Sequence, residues 1–111
     1  MLVLLGALAC GPSRLELEAS KYVGEWLDEG GAVTTIEVQE REPVITSIVD
    51  YDGEVFVMES TVWQGGALVW SYNVPSSETY VVIAATSIEG DQLCTTWSNA
   101  NDSGTECYTR R

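Results

Sequence analysis

The sequence predicts an all-β chain, an antiparallel up-and-down meander of about eight strands closed into a small barrel. Three observations point there. Gly, Asp, Asn, Pro and Ser recur at short, regular intervals, and β-branched and aromatic residues fill the gaps between them. No stretch after residue 21 sustains the apolar period of an amphipathic helix. The strands also carry no self-similar repeat of the kind that builds a solenoid. Closing such a meander on itself removes the sheet edges that would otherwise be exposed.

Taken in order, strands are expected near residues 22–27, 32–39, 44–51, 54–63, 67–73, 79–88, 92–98 and 104–110. The turns between them read DEGG, EREP, DG, QGG, VPSSE, EGD and NANDS. Asp52-Gly53 is the strongest turn signal, of the type I′ hairpin kind. Before the first strand, residues 13–21 (SRLELEASK) fit one or two turns of helix.

The turns set a register. A Gly90-Asp91 turn places Ile88 opposite Leu93, Thr86 opposite Thr95 and Ala84 opposite Trp97. A Gly65-Gly66 turn places Trp63 opposite Leu68, Thr61 opposite Trp70 and Glu59 opposite Tyr72, and the Asp52-Gly53 turn pairs Ile48 with Val57. Side-chain alternation then gathers Trp26, Ile36, Ile48, Val57, Trp63, Leu68, Trp70, Tyr72, Tyr80, Val82, Ile88, Leu93, Trp97 and Tyr108 on the inner face. Glu37, Glu54 and Ser71 fall on the outer one. The third and fourth strands are apolar on both faces, through Ile45, Val49, Phe56 and Met58, which fits an outer patch covered by the N-terminal segment or by a partner.

Composition narrows the function. With 5 basic and 17 acidic residues the net charge is −12, a surface that repels nucleic acid and anionic membrane. A 45% hydrophobic content with four Trp and five Tyr argues against disorder. The absence of histidine removes the usual general bases and zinc sites, and no glycine-rich phosphate loop is present. Glu59 and Glu106 offer the one inward carboxylate pair for acid–base chemistry, with the plainer alternatives that they sit near a rim or that Glu106 pairs with Arg110. The stretch DYDGE at 50–54 lacks the downstream glutamate of a calcium loop and is better explained as a hairpin turn. The expectation is therefore a non-enzyme with no metal or cofactor.

Residues 1–10, MLVLLGALAC, form an apolar run too short to span a bilayer as a helix, closed by small residues as in a secretory signal. Gly11-Pro12-Ser13 then breaks the chain. Ala7-Leu8-Ala9-Cys10 resembles the lipobox of bacterial lipoproteins, in which the signal is cut before a cysteine that becomes lipidated. It departs from that pattern at Ala7, where the family prefers Leu, and in having no Lys or Arg before the run. The resemblance implies a signal peptide at 1–9, a lipidated N-terminus and linker at 10–21 anchored to membrane through Cys10, and a β-barrel domain at 22–111. Gly11 after the cysteine resembles the pattern sent on to the outer membrane, so the implied location is its periplasmic face or the cell surface. The alternative is a buried N-terminal strand or helix with an ordinary core cysteine.

With Cys10 as anchor, Cys94 and Cys107 remain as a pair. A hairpin centred near Ala100-Asn101 puts them directly opposite each other, pairing Leu93 with Tyr108 and Thr95 with Glu106 on either side. A disulfide there would stabilise by about 2–3 kcal/mol and needs an oxidising compartment.

Tyr22-Val23-Gly24-Glu25-Trp26 resembles the first motif of the lipocalins, in which Gly-x-Trp opens the first strand after a short helical turn. In the wider calycin group that Trp packs against a basic residue of the last strand, which here implies Arg110 over Trp26. Such a contact is worth about 0.5–2 kcal/mol. The resemblance covers the first and last strands and the strand count. The middle motifs and a C-terminal helix are missing, and the same strands would also suit a small β-sandwich with Trp26 as plain core.

Two function classes follow. The first is a barrel binding a small apolar or amphipathic ligand inside, through Glu59, Thr61, Trp63, Trp70, Tyr72, Thr86, Thr95 and Trp97. The second is a structural or protein-interaction lipoprotein whose four Trp fill the interior outright.

Overall fold

The computed structural model describes residues 13–111. The expected anchor Cys10 and the expected signal at 1–9 lie outside the described residues. A helix α1 (Arg14–Ser20) precedes eight strands: β1 (Gly24–Leu27), β2 (Val33–Gln39), β3 (Glu42–Val49), β4 (Val57–Gln64), β5 (Ala67–Val74), β6 (Thr79–Glu89), β7 (Gln92–Ser98) and β8 (Ser103–Arg110). The helix starts at a capping box: Glu16 N–H donates to Ser13 Oγ (3.1 Å) and Ser13 N–H donates to Glu16 Oε1 (2.8 Å).

All strands are antiparallel in one sheet of order β3-β2-β1-β8-β7-β6-β5-β4. β1 and β8 join through Trp26↔Arg110 and Leu27↔Thr109, so the first and last strands close on each other as expected. The barrel is nearly complete, with one unsealed seam between β3 and β4. Among the described residues that seam is bridged by the isolated pair Val49↔Val55, by Phe56 N–H donating to the Ile48 carbonyl (3.0 Å) and by Ile45 N–H donating to Thr61 Oγ1 (3.3 Å).

The expected Ile48–Val57 pairing does not form. Residues 50–56 make a wider loop, in which Gly53 N–H donates to the Asp50 carbonyl (2.9 Å) and Asp50 N–H to the Glu54 carbonyl (2.8 Å). Two β-bulges also correct the expected register. One between Met58 and Ser60 pairs Met58, not Glu59, with Tyr72. The other, between Ala85 and Ser87, pairs Ala85 with Thr95 and Ile83 with Trp97, displacing Thr86 and Ala84. An extra residue in one strand inverts every side chain beyond it. Val81 and Ile83 are therefore buried, while Tyr80 faces out at 51% exposure and Val57 likewise. The pairs nearest the turns, Ile88↔Leu93, Trp63↔Leu68 and Thr61↔Trp70, fall where expected.

The core runs along the barrel axis. Trp26, Ile36, Trp70 and Leu93 are wholly buried, with Leu68, Ile83 and Tyr108 almost so. One end is closed by α1, whose Ala19 is buried, and by Tyr22, which meets Trp63 edge-on at 5.8 Å between ring centroids. Arg110 latches the same end. Its guanidinium lies 4.2 Å from the Trp26 ring centroid and donates to the carbonyls of Lys21 (3.0 Å), Gly90 (3.1 Å) and Val23, while Nε donates to Asp91 (3.0 Å). Trp26 Nε1 donates to the Tyr22 carbonyl at 2.8 Å. Gly24 is required here: its φ is +140°, and a Cβ would stand 2.8 Å from Arg110 Nη1. The spacing Gly-x-Trp thus has a local physical reason.

The expected bridge is present: Cys94 and Cys107 are directly paired and joined as a disulfide, their Cα atoms 4.0 Å apart.

Candidate functional site at the open end of the barrel

The opposite end is ringed by four loops, 28–32, 50–56, 75–78 and 99–102, and carries no helix among the described residues. Here the inward residues are half-buried rather than sealed. Phe56 and Tyr72 stack at 5.1 Å between centroids, 8° from parallel, on neighbouring inward positions of β4 and β5. Trp97 comes from β7, its ring lying flat over Gly104 of β8, where a Cβ would stand 2.8 Å from the indole. These aromatic rings pack, half-buried, against the core. That core includes Trp70 and Leu93, wholly buried, and Ile83, which pairs with Trp70 on one side and Trp97 on the other.

The core holds one unusual atom. Trp70 is 0% exposed, yet its indole N–H is the one buried side-chain polar atom without a hydrogen-bond partner among the described residues. Leaving such a group unpaired costs about 1–3 kcal/mol, so a buried orphan calls for an explanation. The neighbouring polar groups are satisfied: Thr95 Oγ1 donates to the Glu106 carbonyl (3.1 Å).

Carboxylates cluster at this end. Glu106, inward on β8 opposite Thr95, accepts from Glu29 N–H at 3.0 Å, and Glu29 in turn accepts from Cys107 N–H at 3.1 Å. Asp28 Oδ1 accepts from the N–H groups of Gly30 and Ala32, both at 2.9 Å, fixing the β1–β2 loop. Burial, then the charges of Asp28 and Glu29, push the Glu106 carboxyl above its ordinary value. Burial, with Asp28, Glu106 and Asp50 nearby, pushes the Tyr72 phenol up to about 12, and burial raises Tyr108 further. Both phenols stay neutral donors at physiological pH.

The residues expected to hold a ligand separate into three groups. Trp70 and Thr95 are buried in the interior, and Tyr72 and Trp97 pack half-buried against the core. Trp63 lies at the helix end against Tyr22, and the Thr61 hydroxyl is spent on the seam. Glu59 and Thr86 sit at the two bulges and face out: Glu59 accepts from Asn73 Nδ2 (2.8 Å) and Thr86 donates to the Cys94 carbonyl (3.0 Å). The expected Glu59–Glu106 pair is therefore not assembled, and Glu106 bonds the Glu29 backbone, not Arg110. Phe56 and Asp28 were missed. Asp28-Glu29-Gly30 carries an Asx-turn signal that could have found the second.

Two further features lie on the surface. A groove of about 660 Å³ lies on the outer wall, between the β5–β6 and β7–β8 turns, beside Tyr80 and Asn101. Asp50, Asp52 and Glu54 bring carboxylate oxygens within 4.8 Å of one another, but Glu54 is already held by Ser76 N–H (2.7 Å) and Oγ (2.8 Å).

The geometry defines a nearly closed, eight-stranded, up-and-down β-barrel with half-buried aromatic side chains packed against its core. No protein-family model, curated protein or solved structure matches the chain.

Proposed function

We propose that the protein is a lipocalin-like binding barrel that takes a small apolar or amphipathic ligand through its open end. The observation that carries this reading is the Trp70 indole N–H, buried without a partner among the described residues in the core against which half-buried Phe56, Tyr72 and Trp97 pack. An apolar lining with a few convergent polar groups suits such ligands. A ligand acceptor reaching the Trp70 N–H would remove the cost of its isolation. The Trp26–Arg110 latch supports the calycin-like reading. The disulfide supports export to an oxidising compartment, and the lipobox-like ALAC supports anchoring through Cys10.

The four indole N–H resonances provide the test. On titration with 1-octanol, the Trp70 and Trp97 signals should move together and saturate. Trp26, bonded to the Tyr22 carbonyl, and Trp63, at the helix end, should stay still. The wholly buried centre of the barrel favours the second reading, a structural or interaction lipoprotein with a solid core. Absence of any saturable shift would establish that reading instead.

A further inference from the structure

The outer wall of β5 to β8 is set apart by its lack of charge. In a chain of net charge −12, β5 and β7 contain no charged residue, and β6 contains none before Glu89. The outward side chains of β6 here are Tyr80, Val82 and Ala84, the last two paired with Ser98 and Thr96 of β7. Tyr80 is 51% exposed. This wall is hollowed. The groove of about 660 Å³ beside Tyr80 shares Val82 and Ser98 with a second hollow of about 390 Å³, which continues over Ala84, Thr96 and Thr105. From Tyr80 to Ala84 the strand covers about 13 Å at the usual rise, enough for more than one ring of a small ligand.

The lining selects a chemistry. Asn99 Oδ1 accepts from the N–H groups of Asn101 and Asp102, both at 2.9 Å, which pins the β7–β8 turn at the groove's edge. The Asn101 side-chain amide and the Ser98 hydroxyl, both exposed, have no protein partner among the described residues. Asp102 holds Ser103 N–H through Oδ1 (2.8 Å), and Glu78 adds a second carboxylate at the mouth. No Lys or Arg lines either hollow, so an anionic ligand is repelled. The groove crosses β6 and β7, each paired with a strand on both sides, so a peptide cannot add there as a strand. A sugar ring fits what remains: its C–H face packs on an aromatic ring, and its hydroxyls both donate to carboxylates and accept from amides. We propose that this trough binds a neutral oligosaccharide, with one ring against Tyr80 and Val82 and hydroxyls bonded to Ser98, Asn101 and Asp102. The site is separate from the open end and does not depend on the reading above.

The experiment titrates the oxidised protein with three neutral trisaccharides, cellotriose, maltotriose and triacetylchitotriose, at millimolar concentrations, followed by two-dimensional amide NMR spectra. At least one should give saturable shifts centred on Tyr80, Val82, Ser98 and Asn101, with the Asn101 side-chain amide among them. Tyr80→Ala should weaken that binding by at least about tenfold, whereas Tyr80→Phe should keep most of it, because the ring face makes the contact. Asn101→Ala should weaken it as well. Both positions are exposed, so these substitutions leave the core intact. The affinity should not change with salt, as for any uncharged ligand. No saturable shift with any of the three sugars, or equal binding by Tyr80→Ala, would overturn the proposal. So would tighter, salt-sensitive binding of the deacetylated, cationic chitotriose, which would mark the groove as a carboxylate site for cations.

Discussion

Replacing Arg110 by Ala removes more from this fold than its place at the end of β8 suggests. The side chain is 29% exposed, stacks on a wholly buried Trp26 and serves three carbonyls, those of Lys21, Val23 and Gly90. The cation–π contact contributes about 0.5–2 kcal/mol. The carbonyl bonds are individually worth more than neutral ones, but water reaches this end once the side chain is gone, so about 1–2 kcal/mol in all is a reasonable loss. The ion pair with Asp91, itself 83% exposed, adds little. Arg111 is the internal control: it is 56% exposed and approaches Glu25 only to 4.0 Å. The expected cost of Arg110→Ala therefore exceeds that of Arg111→Ala by about 1–3 kcal/mol. Urea unfolding of the oxidised protein, followed by tryptophan fluorescence and extrapolated linearly, measures the difference. Arg110→Lys should recover little of it, since an ammonium cannot present the planar fork that spans the three carbonyls. Equal stabilities for the two Ala variants would show that the guanidinium does not hold the barrel closed.

Other perturbations probe other parts. Gly24→Ala, at φ +140° and with its Cβ 2.8 Å from Arg110 Nη1, should destabilise by about 2 kcal/mol or more, and an unchanged urea midpoint would contradict the packing given for Gly-x-Trp. Replacing both Cys94 and Cys107 by Ala should cost about 3 kcal/mol for a bridge of sequence separation 13, with the far-ultraviolet spectrum retained; thiol titration of the unfolded, unreduced protein should find neither cysteine free. Glu106 has a raised folded pKa, so the native state binds more protons than the unfolded one between the two values, and this group's contribution falls as pH rises through that window. Glu106→Gln should accordingly gain stability relative to the parent as pH is raised from about 4 to 7, and a pH-independent difference would argue against the burial assigned to this carboxylate. Protein from its native host should carry lipid on Cys10 by mass spectrometry, and an intact, unmodified 1–10 segment would rule out the anchor.

The parts of the fold legible in the sequence are those governed by local rules. Turn residues mark where strands end, and within a few residues of a tight turn the register is forced, so Ile88↔Leu93, Trp63↔Leu68 and Cys94↔Cys107 follow from counting. Bulges leave no comparable mark. At Glu59 and Thr86 one extra residue enters a strand, and neither residue type announces it. The run Tyr80-Val81-Val82-Ile83 is apolar at every position, so alternation alone does not choose its face, and the bulge chose the opposite one. The same uniformity hid Phe56, which packs against the core because the loop before it is wider than a two-residue hairpin. The Trp26–Arg110 contact was legible because it rests on topology: whatever bends the strands take, closure of the first on the last brings those residues together.

The sheet order also divides the chain into two meanders, one of β1 to β3 and one of β4 to β8, each built from hairpins between consecutive strands. They meet along the sparse β3–β4 seam and the two residue pairs that join β1 to β8. Hairpins form in about 1–10 μs, whereas contacts distant in sequence pay their loop-closure entropy before any reward arrives. Docking of the two meanders is therefore the slow step. It waits for Arg110, because the residue that locks Trp26 in place belongs to the last strand to be synthesised. A partly made chain can therefore zip its hairpins but not complete its barrel.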